Sequence, residues 1–257
     1  MKLVKNWKQY LKELADPESI DISSLKIKDY LNPDLWDNDQ KLKTEIGDRL
    51  YDIAKNFFTN LDLDWVDLLD VTITGSIANY NWSKYSDIDL HIIIDYDQVD
   101  ENKELVNDYL RKSSAGWNRL HGIKIKEFEV EVYLQDSNEP HYSTGVYSVK
   151  NDKWITTPIK RDPKIDWENV KKKSSSLMDN IDEVYELFSN KNFKEALTLA
   201  EKIKEKIRKF RQSGLESAGE YSIENLAFKV LRRNNYLYKL SSLKITAYDK
   251  IMSINGI

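Results

Sequence analysis

The chain has 257 residues, 40% of them hydrophobic and 32% charged, with a formal net charge of -4. That length buries a core as one compact unit or two small domains, and the near-balance of charge excludes a global field for nucleic acid or anionic membrane, so any polyanion site must be local. The absence of cysteine excludes disulfides, thiolate metal sites and a cysteine nucleophile. The three histidines, His91, His121 and His141, match no zinc spacing. The opening "MKLVKNWKQYLKELADP" is charged throughout and lacks the apolar stretch of a signal peptide, and no run reaches membrane-spanning length, so the expectation is a cytoplasmic protein.

Turn signals at "ADPES" and "LNPD" break up the first segment. From about Gln40 to Asn60, Leu42, Ile46, Leu50, Ile53, Ala54 and Phe57 recur at helical spacing, which predicts a helix with one buried stripe. The period then changes. "DVTITG" from Asp70 alternates as a strand, "DIDLHIII" is a second and more apolar one, and "IKIKEFEVEVYLQD" from Ile123 to Asp136 predicts a long third. Between the last two, Leu105, Val106, Tyr109, Leu110 and Trp117 share a helical face. Two short β-like runs flank "KND" at Lys150–Asp152. Beyond Pro163 nearly everything reads as helix: Trp167 to Phe188, Phe193 to Arg211, Ser222 to Arg233 and Tyr236 to Met252. The order predicts an α+β fold, a mixed sheet with helices on one face over 1–160, followed by an all-helical domain over 161–257.

Chemistry concentrates in "TITGSIANYNWSKYSDIDLHIIID", Thr72 to Asp95. Residues two apart on a strand share a face, so Asp87 and Asp89 project together while Ile88 and Leu90 face the core. Two adjacent carboxylates repel unless a cation lies between them, and magnesium prefers such oxygen ligands. In nucleotidyl transfer two such ions, roughly 4 Å apart, clamp the attacking and leaving oxygens, usually with a third carboxylate. Glu127, Glu129 and Glu131 share one face of the third strand; Glu131 is the choice and Glu129 the alternate. Gly75-Ser76 closes the first strand, where a glycine lets the backbone approach phosphate and the amides and the Ser76 hydroxyl can donate to it; a short helix from Ile77 would add its dipole.

"TGS" followed by "SDIDLHI", with Ser76 and Asp87 eleven positions apart, resembles the signature of the polymerase-beta-like nucleotidyltransferase superfamily, over roughly Asp70 to Asp136, about a quarter of the chain. The resemblance implies a nucleotidyltransferase-like sheet, with Gly75, Ser76 and Ser86 seating the nucleotide phosphates. It also implies Asp87 and Asp89 ligating two magnesium ions, or manganese in their place, with Glu131 as third catalytic carboxylate and metal ligand. An aspartate is usual at that last position, so the glutamate is a departure. The implied reaction transfers a nucleoside monophosphate from ATP or another NTP to an acceptor hydroxyl with release of pyrophosphate. The acceptors in the superfamily include small molecules, nucleotides, RNA ends and proteins. The chain has little room for the extra domains of a templated polymerase, so the small, template-independent type is expected. The alternative is a catalytically silent nucleotide-binding or interaction module, against which the intact Asp-x-Asp argues.

Other residues weigh less. Lys229 and Arg233 lie four apart on one helical face beside Leu226, Val230 and Leu231, and Lys229 is the candidate to meet a triphosphate or acceptor from the helical domain. Lys171 to Lys173 and Lys202 to Lys209 are interleaved with acids or solvated. His91 reads as a space-filling strand residue and His121 as a turn residue. His141, with Tyr142, Ser143 and Thr144, follows the third strand at a place from which it could reach the site.

Overall fold

The computed structural model describes residues 16–140 and 143–254. The chain divides into two compact units: Ser24–Asp162, and a second one formed by the residues on either side of that span.

The first unit holds helix α1 (Thr44–Thr59), strands β1 (Asp70–Thr74) and β2 (Ile88–Ile94), and helix α2 (Lys103–Leu120). Four strands follow: β3 (Lys124–Ile125), β4 (Phe128–Asp136), β5 (Val146–Ser148) and β6 (Lys153–Thr156). The sheet order is β3-β4-β2-β1-β5-β6. All neighbouring pairs are antiparallel except β2 and β4, which run parallel. Helix α2 makes the crossover that a parallel pair requires. Asn102 caps α2, its side chain accepting from the Leu105 amide at 3.2 Å.

The two faces of this sheet differ. Ile73, Leu90, Ile92, Val130 and Val132 point into a core closed by Ile46, Leu50 and Phe57 of α1 and Val106 and Leu110 of α2, all buried. Phe57 and Trp117 meet edge-on at 5.3 Å, so both helices cover one face. The opposite face carries the polar residues of the alternation. Among these, Thr74 pairs with Asp89 and Asp89 with Glu131 on one rung; Thr72 pairs with His91 and His91 with Tyr133 on the next.

Four expectations are corrected here. The long third strand is two, because Lys126 has φ 54 and reverses the chain into an antiparallel hairpin. Glu127 therefore sits in the turn and off the sheet face. Helix α1 starts at Thr44 because Gln40 has φ 59 and Leu42 is held in a bridge to Trp36. On α2 the buried face is Val106, Leu110 and Ser114, whereas Leu105 and Tyr109 are exposed. The short helix expected from Ile77 is a single 3-10 turn, Ser76–Ala78, too short to carry a helix dipole of consequence.

The residues before α1 brace the loop that follows β1. Trp36 stacks on Trp154 at 4.7 Å, and its indole N–H donates to the Ile77 carbonyl at 3.0 Å. The Lys28 amide donates to the Tyr80 carbonyl at 2.7 Å.

The second unit packs α3 (Trp167–Ser189), α4 (Phe193–Ala218), α5 (Ile223–Arg233) and α6 (Tyr236–Met252). Its core is Met178, Ile181, Val184, Ala200, Ile203, Leu226, Val230 and Leu240. Helix α4 runs seven residues past the expected end at Arg211, through "QSGLESA". Gly214 stays helical because it packs against α5, where a Cβ would lie 2.4 Å from that of Glu224.

Gly145 shows how tightly the loop after β1 is held. A Cβ there would lie 2.1 Å from the Ala78 carbonyl oxygen, which is backbone and cannot rotate away. Gly145→Ala should destabilise the first unit by about 1–3 kcal/mol, read as a lower urea midpoint at unchanged slope.

Candidate active site

Asp87 lies one residue before β2, and Asp89 and Glu131 face one another across the parallel β2–β4 pair. The geometry brings one oxygen from each of the three carboxylates to within 4.8 Å of the others, and all three residues are half-buried. Like charges this close, partly withdrawn from water, call for a counter-cation. A set of three carboxylates suits a hard divalent ion such as magnesium, so the donors present fit the metal that the resemblance implies. Glu129, the alternate third ligand, is exposed and faces Lys124 at 3.9 Å.

Gly75 is fixed by Asp89. Its φ is 78, and a Cβ at that position would sit 2.3 Å from Asp89 Oδ2. The turn and the carboxylate therefore pack directly on each other, which only glycine permits. The Ser76 and Ser86 hydroxyls share a hydrogen bond of 2.8 Å, and the Ser86 oxygen also accepts from the Ser83 amide at 3.0 Å. The start and end of the loop "SIANYNWSKYS" are thus pinned together beside the carboxylates. The Gly75 amide donates to Ser143 Oγ at 3.4 Å, a long bond that an incoming anion can replace. Asn79 donates to Thr144 Oγ1. Ser143 and Thr144 therefore do reach the site; His141 and Tyr142 lie outside the described residues.

Tyr133 is a site residue that sequence reasoning passed over. Its hydroxyl donates to Glu131 Oε2. Burial, then Glu131, Asp89 and Asp87, hold the phenol far above its ordinary range, so it remains a donor at every physiological pH. The signal was present: Glu131 and Tyr133 are two apart on a strand and must share a face. His91 packs against Tyr133 at 5.3 Å between ring centres and shares a 3.3 Å contact with the Thr74 hydroxyl through Nε2. It fills space beside the carboxylates, as expected, and also continues their polar network.

Lys229 lies on α5 in the helical unit. It is half-buried, and burial pushes its amine down to about 8, with Arg233, Arg232 and Arg211 adding to the effect and Glu220 opposing it. Leu226, Val230 and Leu231 beside it are buried. Lys173 is less solvated than the reading of a charge run implied, since it pairs with Glu224 of α5 at 3.1 Å and lies over Phe210.

No protein-family model matches the chain, and no curated protein matches it. A solved structure of a STING-associated CdnE c-di-GMP synthase from Capnocytophaga granulosa aligns with 94% of this chain and 97% of that one, at 15% identity and a TM-score of 0.20. Likeness at that level carries no argument about the chemistry here. In the chain itself, the Gly-Ser turn and the Asp-x-Asp strand on which the resemblance rests lie adjacent, and Glu131, the third carboxylate that it implies, lies with them. No helix among the described residues is long and apolar enough to cross a membrane.

If Tyr133 orients Glu131, Tyr133→Phe should weaken manganese binding by about tenfold or more, as loss of a group that positions a metal ligand does. Electron paramagnetic resonance of bound manganese measures this directly, with circular dichroism to show an unchanged fold.

Proposed function

We propose that the chain is a magnesium-dependent nucleotidyltransferase that moves a nucleoside monophosphate from an NTP to an acceptor hydroxyl and releases pyrophosphate. The observation that carries this reading is the convergence of Asp87, Asp89 and Glu131 within 4.8 Å against the Gly75-Ser76 turn. A carboxylate triad alone is common on acidic surfaces. One packed on a glycine turn whose amide and hydroxyls can face phosphate is suited to holding a metal–triphosphate complex.

In this reading Asp87, Asp89 and Glu131, the last steadied by Tyr133, would hold the metal ions. Bound there, the metals supply Lewis acidity to the attacking and departing oxygens. The Gly75 amide and the Ser76 hydroxyl take the phosphate oxygens, and Ser86 fixes the hydroxyl of Ser76 in place. The acceptor oxygen attacks the α-phosphorus in line, and the bond to the β-phosphate breaks. Lys229 is proposed as a phosphate-binding group of the helical unit. The support is a half-buried amine whose charge is disfavoured by burial and by Arg233, Arg232 and Arg211 and favoured by Glu220.

Asp87→Asn and Asp89→Asn should each lower kcat/KM by about 100-fold or more in a magnesium-dependent pyrophosphate-release assay, the scale expected when transition-state charge loses its stabilisation. Activity surviving both changes at the wild-type level would reject the assignment.

The Lys229 amine should lose its proton near pH 8, so binding of inorganic phosphate at the helical unit, read by calorimetry, should weaken as pH passes upward through that value, and Lys229→Arg should flatten the dependence. The linkage has a stability counterpart. The unfolded chain holds this proton up to 10.5 and the folded chain only to about 8, so Lys229 adds stability as pH rises through that window.

A further inference from the structure

Beside the triad, on the same sheet face, lies a pocket of about 360 Å³. Thr74, His91, Tyr133, Gln135, Glu139 and Ser143 contribute hydrogen-bonding groups to it. It adjoins the catalytic carboxylates by construction: Thr74 is the register partner of Asp89, and Tyr133 is bonded to Glu131. Its size is near the bottom of the range for small-molecule pockets, roughly 300–1,000 Å³.

The charge around this pocket is one-sided. Among the described residues that line it, Glu139 is charged and none is Lys or Arg. At one end stand Asp87, Asp89 and Glu131. At the other stands Glu139. The triad's negative charge would be matched by the metals it would hold, whereas Glu139 has no Lys or Arg beside it among the described lining residues. An acceptor carrying phosphates would meet the Glu139 carboxylate here and, among the described lining residues, no guanidinium or ammonium to hold it.

We propose that this pocket is the acceptor site, and that the acceptor is a small neutral or cationic polyol, such as a sugar, amino sugar or aminocyclitol. The assignment rests on the nucleotidyl-transfer reading above and names its second substrate. One hydroxyl oxygen of the polyol forms a bond to the α-phosphorus of the NTP; the bond from that phosphorus to the β-phosphate oxygen breaks, and pyrophosphate leaves with the electron pair. The hydroxyl proton passes to solvent. The product is a phosphodiester of the polyol and the nucleoside. Gln135 offers a donor and an acceptor to hydroxyls, Glu139 accepts from an ammonium or hydroxyl group, and the Tyr133 and His91 side of the pocket directs one hydroxyl toward the carboxylates.

The test uses the full chain with magnesium and the four α-labelled NTPs, and as acceptors trehalose, glucosamine, streptamine, AMP and a short RNA. Label should appear on at least one polyol, with pyrophosphate released. Glu139→Gln should lower kcat/KM for the amino polyols about tenfold and leave a neutral sugar within about twofold, as loss of a charge-assisted contact would. Gln135→Trp, which fills the pocket, should abolish polyol transfer while calorimetry shows unchanged magnesium-dependent NTP binding, and that binding also certifies the variant's fold. Preferential labelling of AMP or RNA, polyol transfer that survives Gln135→Trp, or NTP binding with no polyol labelled would each overturn the acceptor assignment and leave the donor site standing. Absence of both NTP binding and pyrophosphate release would instead remove the nucleotidyl-transfer reading, and this assignment with it.

Discussion

Mutual repulsion of three carboxylates is the constraint around which the first unit is organised. Left to themselves, Asp87, Asp89 and Glu131 would turn apart. The sheet prevents this: Asp89 and Glu131 are register partners on parallel strands, and their neighbours Leu90 and Val132 are locked in the core with no exposed surface. A slip of one residue would put Leu90 on the polar face and Asp89 in the core. Hydrophobic burial on one face thus fixes like charges on the other, an arrangement that a divalent cation would make favourable.

The same logic explains the surroundings. Tyr133 donates to the longest of the three side chains, the one with the most rotamers to lose. The departure from the usual aspartate is therefore accompanied by a device that limits its freedom. On the other side, Trp36 and Gly145 hold the backbone at Ile77–Ala78, so the turn that begins at Gly75 is braced by residues far away in sequence. Preorganisation of this kind puts the ordering cost on folding and spares substrate binding.

Much of this was legible in the sequence because strands announce their faces. The alternation in "DIDLHIII" and "EVEVYL" places Asp89, Glu131 and Tyr133 correctly without any knowledge of topology. What alternation cannot show is where a strand is interrupted. The left-handed backbone at Lys126 leaves no mark on the polar–apolar pattern, so β3 and β4 read as one. Gly214 misled in the other direction: glycine and serine at "QSG" look like a helix end, but close packing on α5 keeps the helix going. The partner strand of β4 was likewise hidden, since parallel pairing depends on the crossover through α2. The polar pocket beside the triad draws on β1, β2, β4 and the segment after it, which no local pattern joins.

The contact between Gly75 and Asp89 ties two positions fourteen residues apart into one heritable character. A side chain at position 75 is tolerated only if the carboxylate at 89 is shortened or withdrawn, and a chain so altered has given up a metal ligand. Among descendants of this protein the two residues should persist together or disappear together, so the glycine alone, read from a fragment of sequence, would report whether the chemistry has been kept.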